Sequence, residues 1–237
     1  MTVKTVLITG ANRGIGLKFV EAYGKLGWKV IAAARDPSKA DQLKSLSPYK
    51  VLQLDTSDEA SIGNVAKELE SEAIDLLINN AGIFMGGKLE ITTKEDLIKQ
   101  FEVNTVGPFL ITRALLPHLK AAVVTNGSAL VVQISSFMGS IKLNFVEYAG
   151  FSPGGRYGYK ASKAALNMIN ASLAVDLKSE KIGAIVVHPG VVDTDMTANQ
   201  GQISTDESVT GMMKVISDFK LADTGKFYDY TGNTMPW

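Results

Sequence analysis

Short runs rich in Val, Ile, Leu and Ala recur along the chain, each followed by a stretch in which apolar residues return with helical spacing, and this alternation limits the possible folds more than any other feature. The runs lie near 3–9, 28–34, 50–54, 74–79, 128–134, 182–188 and 226–230, and the helical patterns near 14–26, 38–46, 58–72, 93–121 and 157–180. Strands apolar at nearly every position must be covered on both faces, and strands joined through helices run parallel. The pattern predicts an α/β fold: a doubly wound parallel sheet of about seven strands with helices on both faces. Its 237 residues are read as a single domain, 1–237. In such a sheet ligands bind beyond the carboxyl ends of the strands. Two irregular stretches, 137–156 and 190–205, follow strands and are expected to overhang that edge.

Composition narrows the chemistry. Lys and Arg number 24 and Asp and Glu 24, without a long run of one sign, so neither nucleic acid nor a charged membrane surface is an expected partner. The absence of cysteine excludes disulfides and thiolate catalysis. The two histidines, His118 and His188, lack ligand spacing, so no metal site is expected. The first residues hold no signal-peptide pattern, no apolar run is long enough to span a membrane, and a cytoplasmic location is the expectation.

The first strand runs into Thr9-Gly10-Ala11-Asn12-Arg13-Gly14-Ile15-Gly16 and then a helix. Glycines there let the backbone turn tightly and approach a pyrophosphate, and the helix start offers free N–H groups at the positive end of its dipole. The second strand ends in alanines followed by Arg35, where a dinucleotide site selective for a free ribose hydroxyl would place an acid. Arg35, with Arg13 approaching from the turn, is suited to a 2′-phosphate, which favours NADP(H) over NAD(H). Asp36 stands just before Pro37, a position that also suits a helix cap.

The stretch YGYKASK places Tyr159 and Lys163 four residues apart at the start of a helical run, hence on one helix face, whereas Tyr157 has Ala161 at that offset. A phenol near pKa 10 is a slow proton shuttle at neutral pH, and a fixed ammonium beside it is expected to lower that value. Tyr159 is therefore the candidate acid/base.

The ordered set Thr9-Gly10…Gly14-x-Gly16, Asn79-Asn80-Ala81-Gly82, Asn104, Ser135-Ser136, Tyr159-x-x-x-Lys163 and Pro189-Gly190 resembles the short-chain dehydrogenase/reductase family from about residue 3 to Met196. GANRGIGL and the ending GKFYDYTGNTMPW further resemble its sniffer-type carbonyl reductase and C-factor-like branch. The resemblance implies a Rossmann-like fold, NADP(H) as cofactor and reduction of an aldehyde, ketone or quinone. It also implies roles: Ser136 bonding the carbonyl oxygen, Tyr159 transferring its proton, Lys163 holding the nicotinamide ribose, and Asn104 holding a water that links Lys163 to solvent. The resemblance places Gly10, Asn12, Arg13, Gly14, Ile15, Gly16, Arg35, Asp55, Asn80, Ala81, Gly82, Pro189, Gly190, Val192 and Thr194 at the cofactor. Asp55 would meet the adenine and Thr194 the carboxamide; Asp55 as a cap for the helix near Ser57 is the structural reading of the same residue. An NADP(H)-binding signalling or regulatory protein with little turnover is the competing function.

Ser135 is the runner-up serine, but alternation along a strand turns it to the other face. The span from Ser136 to Tyr159 is longer than the resemblance leads one to expect, and the extra residues are read as a flap beside the substrate. Phe137, Met138, Phe145, Tyr148 and Met196 are its candidate walls, with Phe84 nearby, and suit a small hydrophobic carbonyl. The insertion also spells Gly150-Phe151-Ser152-Pro153-Gly154, the pattern of an esterase nucleophile, with Asp176 and His188 downstream. Proline has no N–H to donate to an oxyanion, which argues against that chemistry. A homodimer or homotetramer is expected through the helices near 93–121 and 157–180.

Overall fold

The computed structural model describes residues 3–237. Seven parallel strands, β1 (Thr5–Thr9), β2 (Lys29–Ala34), β3 (Lys50–Gln53), β4 (Leu76–Asn79), β5 (Ala129–Ile134), β6 (Ile182–His188) and β7 (Phe227–Asp229), form one sheet in the order β3-β2-β1-β4-β5-β6-β7. The helices are α1 (Gly14–Lys25), α2 (Asp41–Ser45), α3 (Glu59–Glu68), α4 (Lys94–Phe101), α5 (Gly107–Ala114), α6 (Leu116–Asn126), α7 (Tyr157–Leu177) and α8 (Thr205–Asp218). Strand order reverses between β1 and β4, which opens the crevice where doubly wound sheets bind ligands. The strand boundaries read from the sequence hold to within two residues.

Both faces of the sheet are buried. Val6 and Ile8 of β1 join Phe19, Val20, Val209 and Met212 on the face covered by α1 and α8, while Leu7 joins Ile62, Ile111, Leu119 and Leu177 on the other, beneath α3, α5, α6 and α7. Adjacent residues of one strand thus enter opposite cores, which is why the strands read as continuously apolar.

Two helical readings change. The stretch near 93–121 is not one helix: after α4 the chain widens into a π-helical turn, Glu102–Val106, and α5 ends at Ala114, Leu115 separating it from α6 with Pro117 in its first turn. Proline in the first turn of a helix lacks an N–H that would have no partner there, so the apolar pattern continues across a break. Helix α8 escaped the reading altogether. Its start is written in the sequence: the Ser204 hydroxyl accepts from Glu207 N at 3.1 Å, and Val209, Met212 and Val215 are buried at helical spacing. No helix among the described residues is long and apolar enough to cross a membrane.

Candidate active site

The glycine-rich turn is built for close approach. Gly10 has φ +64°, and a Cβ added there would stand 2.9 Å from Ala81 Cα; one added at Gly16 would overlap the Gly10 carbonyl oxygen and stand 2.6 Å from Asn80 Nδ2. Only glycine leaves room for the two loops to meet. Thr9 locks them: its hydroxyl accepts from Asn80 N and Ala81 N, both at 3.0 Å, and Asn80 Nδ2 donates to Thr9 O at 2.9 Å. Asn12, Arg13 and Ile15 lie in the turn and at the start of α1, and a Cβ at Gly14 would come within 3.4 Å of Thr194 Cγ2 on the loop after β6. A cradle of backbone N–H groups at a helix start, facing a second loop across a gap, fits a dinucleotide pyrophosphate.

The loop after β6 is held from below by α8. Ser208 Oγ donates to Pro189 O at 2.6 Å, Gly190 turns with φ +87°, and Val192 is buried where it bridges Ile203. At the other end of the crevice Arg35 is exposed just beyond β2, close enough to Asp55 to help hold its carboxyl below the ordinary range, after the hydrogen bonds from Ser57 that chiefly do so. Asp55 accepts from Ser57 N at 2.9 Å and Ser57 Oγ at 2.7 Å, so it is a turn-former as well as a wall of this end of the crevice. Asp36 accepts from Ser38 N at 3.1 Å and pairs with Lys39 at 3.2 Å, capping the turn that Pro37 opens. The Arg13 guanidinium meets Asp195 at 3.1 Å across the crevice instead of extending toward Arg35.

Three side chains converge at the ends of β5 and α7. Ser136 follows β5 with extended backbone, φ −153°; its Oγ accepts from Met138 N at 3.1 Å, and its hydroxyl faces the Tyr159 phenol. Ser135 points the other way, into the core, and donates to Asn167 Oδ1 at 2.7 Å. Tyr159 sits in the first turn of α7 with its ring edge-on to Phe84 at 5.1 Å between centroids. Lys163 is buried, donates to Ile134 O at 2.8 Å, and holds its ammonium 5.7 Å from the Tyr159 ring centroid.

The lowered phenol pKa expected from this pairing is absent. Burial pushes Tyr159 up to about 12, the Ser136 hydroxyl pulling weakly the other way, and burial pushes Lys163 down to about 8. The ammonium faces the ring and a carbonyl oxygen, so desolvation outweighs attraction.

Asn104 lies at the centre of the π-helical turn. Its Oδ1 accepts from Ile83 N at 2.8 Å and its Nδ2 donates to Ile83 O and Ser162 Oγ, which ties the 81–84 segment to α7. A Cβ at Gly82 would lie 3.2 Å from Asn104 Oδ1 and 3.7 Å from Lys163 Nζ, so Gly82, Asn104 and Lys163 are packed together.

The proposed walls divide. Phe137 is buried in a small core with Tyr148, Phe151 and His188, packed at centroid distances from 5.0 to 5.5 Å. Phe145 is three-quarters exposed and Met196 about half, while Met138 is partly buried against the Phe137 cluster. Phe84 is the aromatic that touches the tyrosine. Ser152 lies in the insertion, Asp176 on the exposed side of α7, and His188 Nδ1 has no partner among the described residues, so no catalytic triad joins them. Two positioning residues escaped the reading. Gln100, deep in α4, accepts from Met85 N at 2.8 Å, and Thr105 Oγ1 donates to Ser162 O at 2.7 Å. No motif announces them.

The family profile described as short chain dehydrogenase matches residues 4–204, spanning the turn, the strand-end asparagines, Ser136, Tyr159 and Lys163. The chain belongs to the short-chain dehydrogenase family. It is similar over 100% of both chains to an NADPH-bound carbonyl reductase from chicken fatty liver, at 35% identity and TM-score 0.89. The carbonyl reductase Sniffer of Drosophila melanogaster matches at 30% identity and TM-score 0.91, again over 100% of each chain. C-signal of Myxococcus xanthus is 36% identical over 165 residues, covering 69% of this chain and 93% of that protein. As a short-chain dehydrogenase the protein is an oxidoreductase, and its crevice fits the nicotinamide dinucleotides the family uses.

Proposed function

We propose that this short-chain dehydrogenase reduces a hydrophobic aldehyde, ketone or quinone to the alcohol with NADPH. The observation that carries the reading is the convergence of Ser136, Tyr159 and Lys163 beside a cradle that only glycine permits. Bound in the crevice, the dinucleotide supplies the hydride. The Ser136 O–H donates to the carbonyl oxygen, and the Tyr159 O–H gives its proton to the same oxygen as negative charge develops there. Burial holds the Tyr159 phenol protonated through neutral pH, so its proton leaves only when hydride transfer makes the substrate oxygen the stronger base. Lys163 places a positive charge behind the tyrosine and hydrogen-bonds from one side only, leaving donors for a ribose. Gly10, Gly14 and Gly16 admit the pyrophosphate, and Asn80 to Gly82, Pro189, Gly190, Val192 and Thr194 line the remainder.

Preference for NADP(H) rests on Arg35 and on Asp36, whose carboxylate is engaged by Ser38 and Lys39. The chicken relative of known structure is NADPH-bound, which supports the same choice. Apolar surface at Phe84 and Met138 favours an uncharged organic carbonyl. A homodimer through α4 and α7 is proposed from their exposed Leu97, Ile98, Phe101, Met168 and Val175. Similarity to a protein named C-signal favours a second reading, a dinucleotide-binding signalling protein. Following NADPH absorbance with a panel of aryl ketones, aldehydes and quinones separates the two. Turnover that disappears in Tyr159→Phe supports the reductase, and tight NADPH binding with a silent panel overturns it.

A further inference from the structure

Between Ser136 and Tyr159 the chain leaves the fold and returns. A short helical turn, Lys142–Phe145, is followed by a narrow bend closed by Tyr148 N to Phe151 O at 3.2 Å and Phe151 N to Tyr148 O at 2.9 Å. The insertion, 140–156, thus begins four residues after Ser136 and ends three residues before Tyr159. Its first half is tied by Lys142 N to Trp237 O at 3.0 Å and its middle by Gln202 Nε2 to Ala149 O at 3.0 Å. Its end is tied by Arg156 N to Gly87 O at 3.0 Å.

One side chain joins its two halves. Lys160, the residue after Tyr159 on α7, donates from Nζ to Asn144 Oδ1 at 2.8 Å and to Gly154 O at 2.6 Å. Lys160 also lines a cavity of about 10 Å³, room for a single water, with Met138, Leu143, Tyr148 and Phe151. Among the described residues no acid pairs with it: its neighbours are these acceptors, the apolar walls and the Arg156 guanidinium, which stacks on Phe151 at 5.1 Å. A partly buried ammonium without a counter-ion is retained at a cost, and here its two charge-assisted bonds close the insertion onto the helix that carries the proton donor.

We infer that Lys160 is a positioning residue that clasps the insertion over the Ser136–Tyr159 pair and so sets which carbonyl substrates are held. The inference deepens the reductase reading and rests on it. A substrate large enough to reach the insertion needs the clasp; a compact one that touches only Ser136, Tyr159 and Phe84 does not. The clasp acts on binding, not on proton transfer, so its loss raises KM and spares kcat.

The test compares the full chain with Lys160→Met, which keeps length and loses both donors, and with Lys160→Arg, which restores a cation. Benzophenone and propanal serve as large and compact substrates with saturating NADPH. The expected result in Lys160→Met is a KM for benzophenone raised about tenfold, with kcat within about twofold, KM for propanal unchanged, and recovery of most of the difference in Lys160→Arg. Chymotryptic cleavage after Tyr148 and Phe151, followed by mass spectrometry, is expected to quicken about fivefold in Lys160→Met because it tracks the opened population. Unchanged cleavage overturns the clasp, and faster cleavage with unchanged selectivity overturns its role in specificity. A parallel loss on both substrates assigns Lys160 to general stability and overturns it as well. If the parent chain turns over neither ketone nor aldehyde, it is the reductase reading that fails, and the cleavage arm still reports whether Lys160 closes the insertion.

Discussion

The Lys163 ammonium stands 5.7 Å from the centroid of the Tyr159 ring, one helical turn along α7, and gives a hydrogen bond to Ile134 O, not to the phenol. The pair is therefore an acid that retains its proton and a cation that holds position. Removing the hydroxyl in Tyr159→Phe keeps the edge-on contact with Phe84 and deletes the donor. The expected outcome is a fall in kcat of ~10²–10⁴-fold. NADPH affinity, read by fluorescence titration, should stay within a few-fold of the parent. Parent-like kcat in this variant would remove Tyr159 from the reaction.

Lys163 makes the pH dependence testable with its sign. Its folded value near 8 lies below the ordinary 10.5, so between those values the unfolded chain binds the proton and the folded protein does not. Stability from this group is complete above 10.5 and is lost as pH falls toward 8. Melting temperatures of the parent and Lys163→Met, measured from pH 7 to 10.5, should diverge in the parent's favour as pH rises and run parallel below pH 8. Reduction by the parent should be level up to about pH 8 and decline above it as the ammonium disappears. A parent-minus-variant curve flat across the whole range would mean that Lys163 is not held in a desolvated site.

Arg35 gives the cofactor prediction. It is exposed beyond β2 with no acid among the described residues hydrogen-bonded to it, next to an Asp36 already engaged by Ser38. A charge-assisted bond to a 2′-phosphate contributes ~1.5–3 kcal/mol. Arg35→Ala should therefore raise KM for NADPH ~10–100-fold while leaving KM for NADH unchanged. Steady-state kinetics with both cofactors check it, and an equal change on both would move phosphate recognition elsewhere.

How much of this was legible in the sequence follows from which interactions are local. Strand positions, the glycine turn and the Tyr159–Lys163 spacing are written in short windows, because burial on two faces and one helical turn are themselves local facts. The opposite orientations of Ser135 and Ser136 follow from alternation and are found in the structure. The direction of the Tyr159 shift was not legible, since it depends on what surrounds a hydroxyl in three dimensions and not on which charge lies four residues away. Phe137, read as a candidate pocket wall, packs in a small core, and nothing local shows that Tyr148, Phe151 and His188 fold back to cover it. The break between α5 and α6 and the π-helical turn at Asn104 were hidden by an unbroken apolar pattern.

His188 carries the remaining prediction. It ends β6, edge-on to Phe137 at 5.2 Å, and is buried with Nδ1 unpartnered among the described residues. Burial pushes its pKa down to about 4, and the nearby Asp229 raises it only in part. Above the ordinary value of 6.5 the imidazole is neutral in both states and contributes its full packing. As pH falls from 6.5 toward 4, the unfolded chain takes up a proton that the folded protein refuses, and stability declines. The gap corresponds to ~3 kcal/mol at most. His188→Leu keeps an apolar group against Phe137 and removes the titration. Urea midpoints measured between pH 7 and 4 should fall more steeply for the parent than for the variant. Equal slopes would show that the acid sensitivity of the fold arises elsewhere.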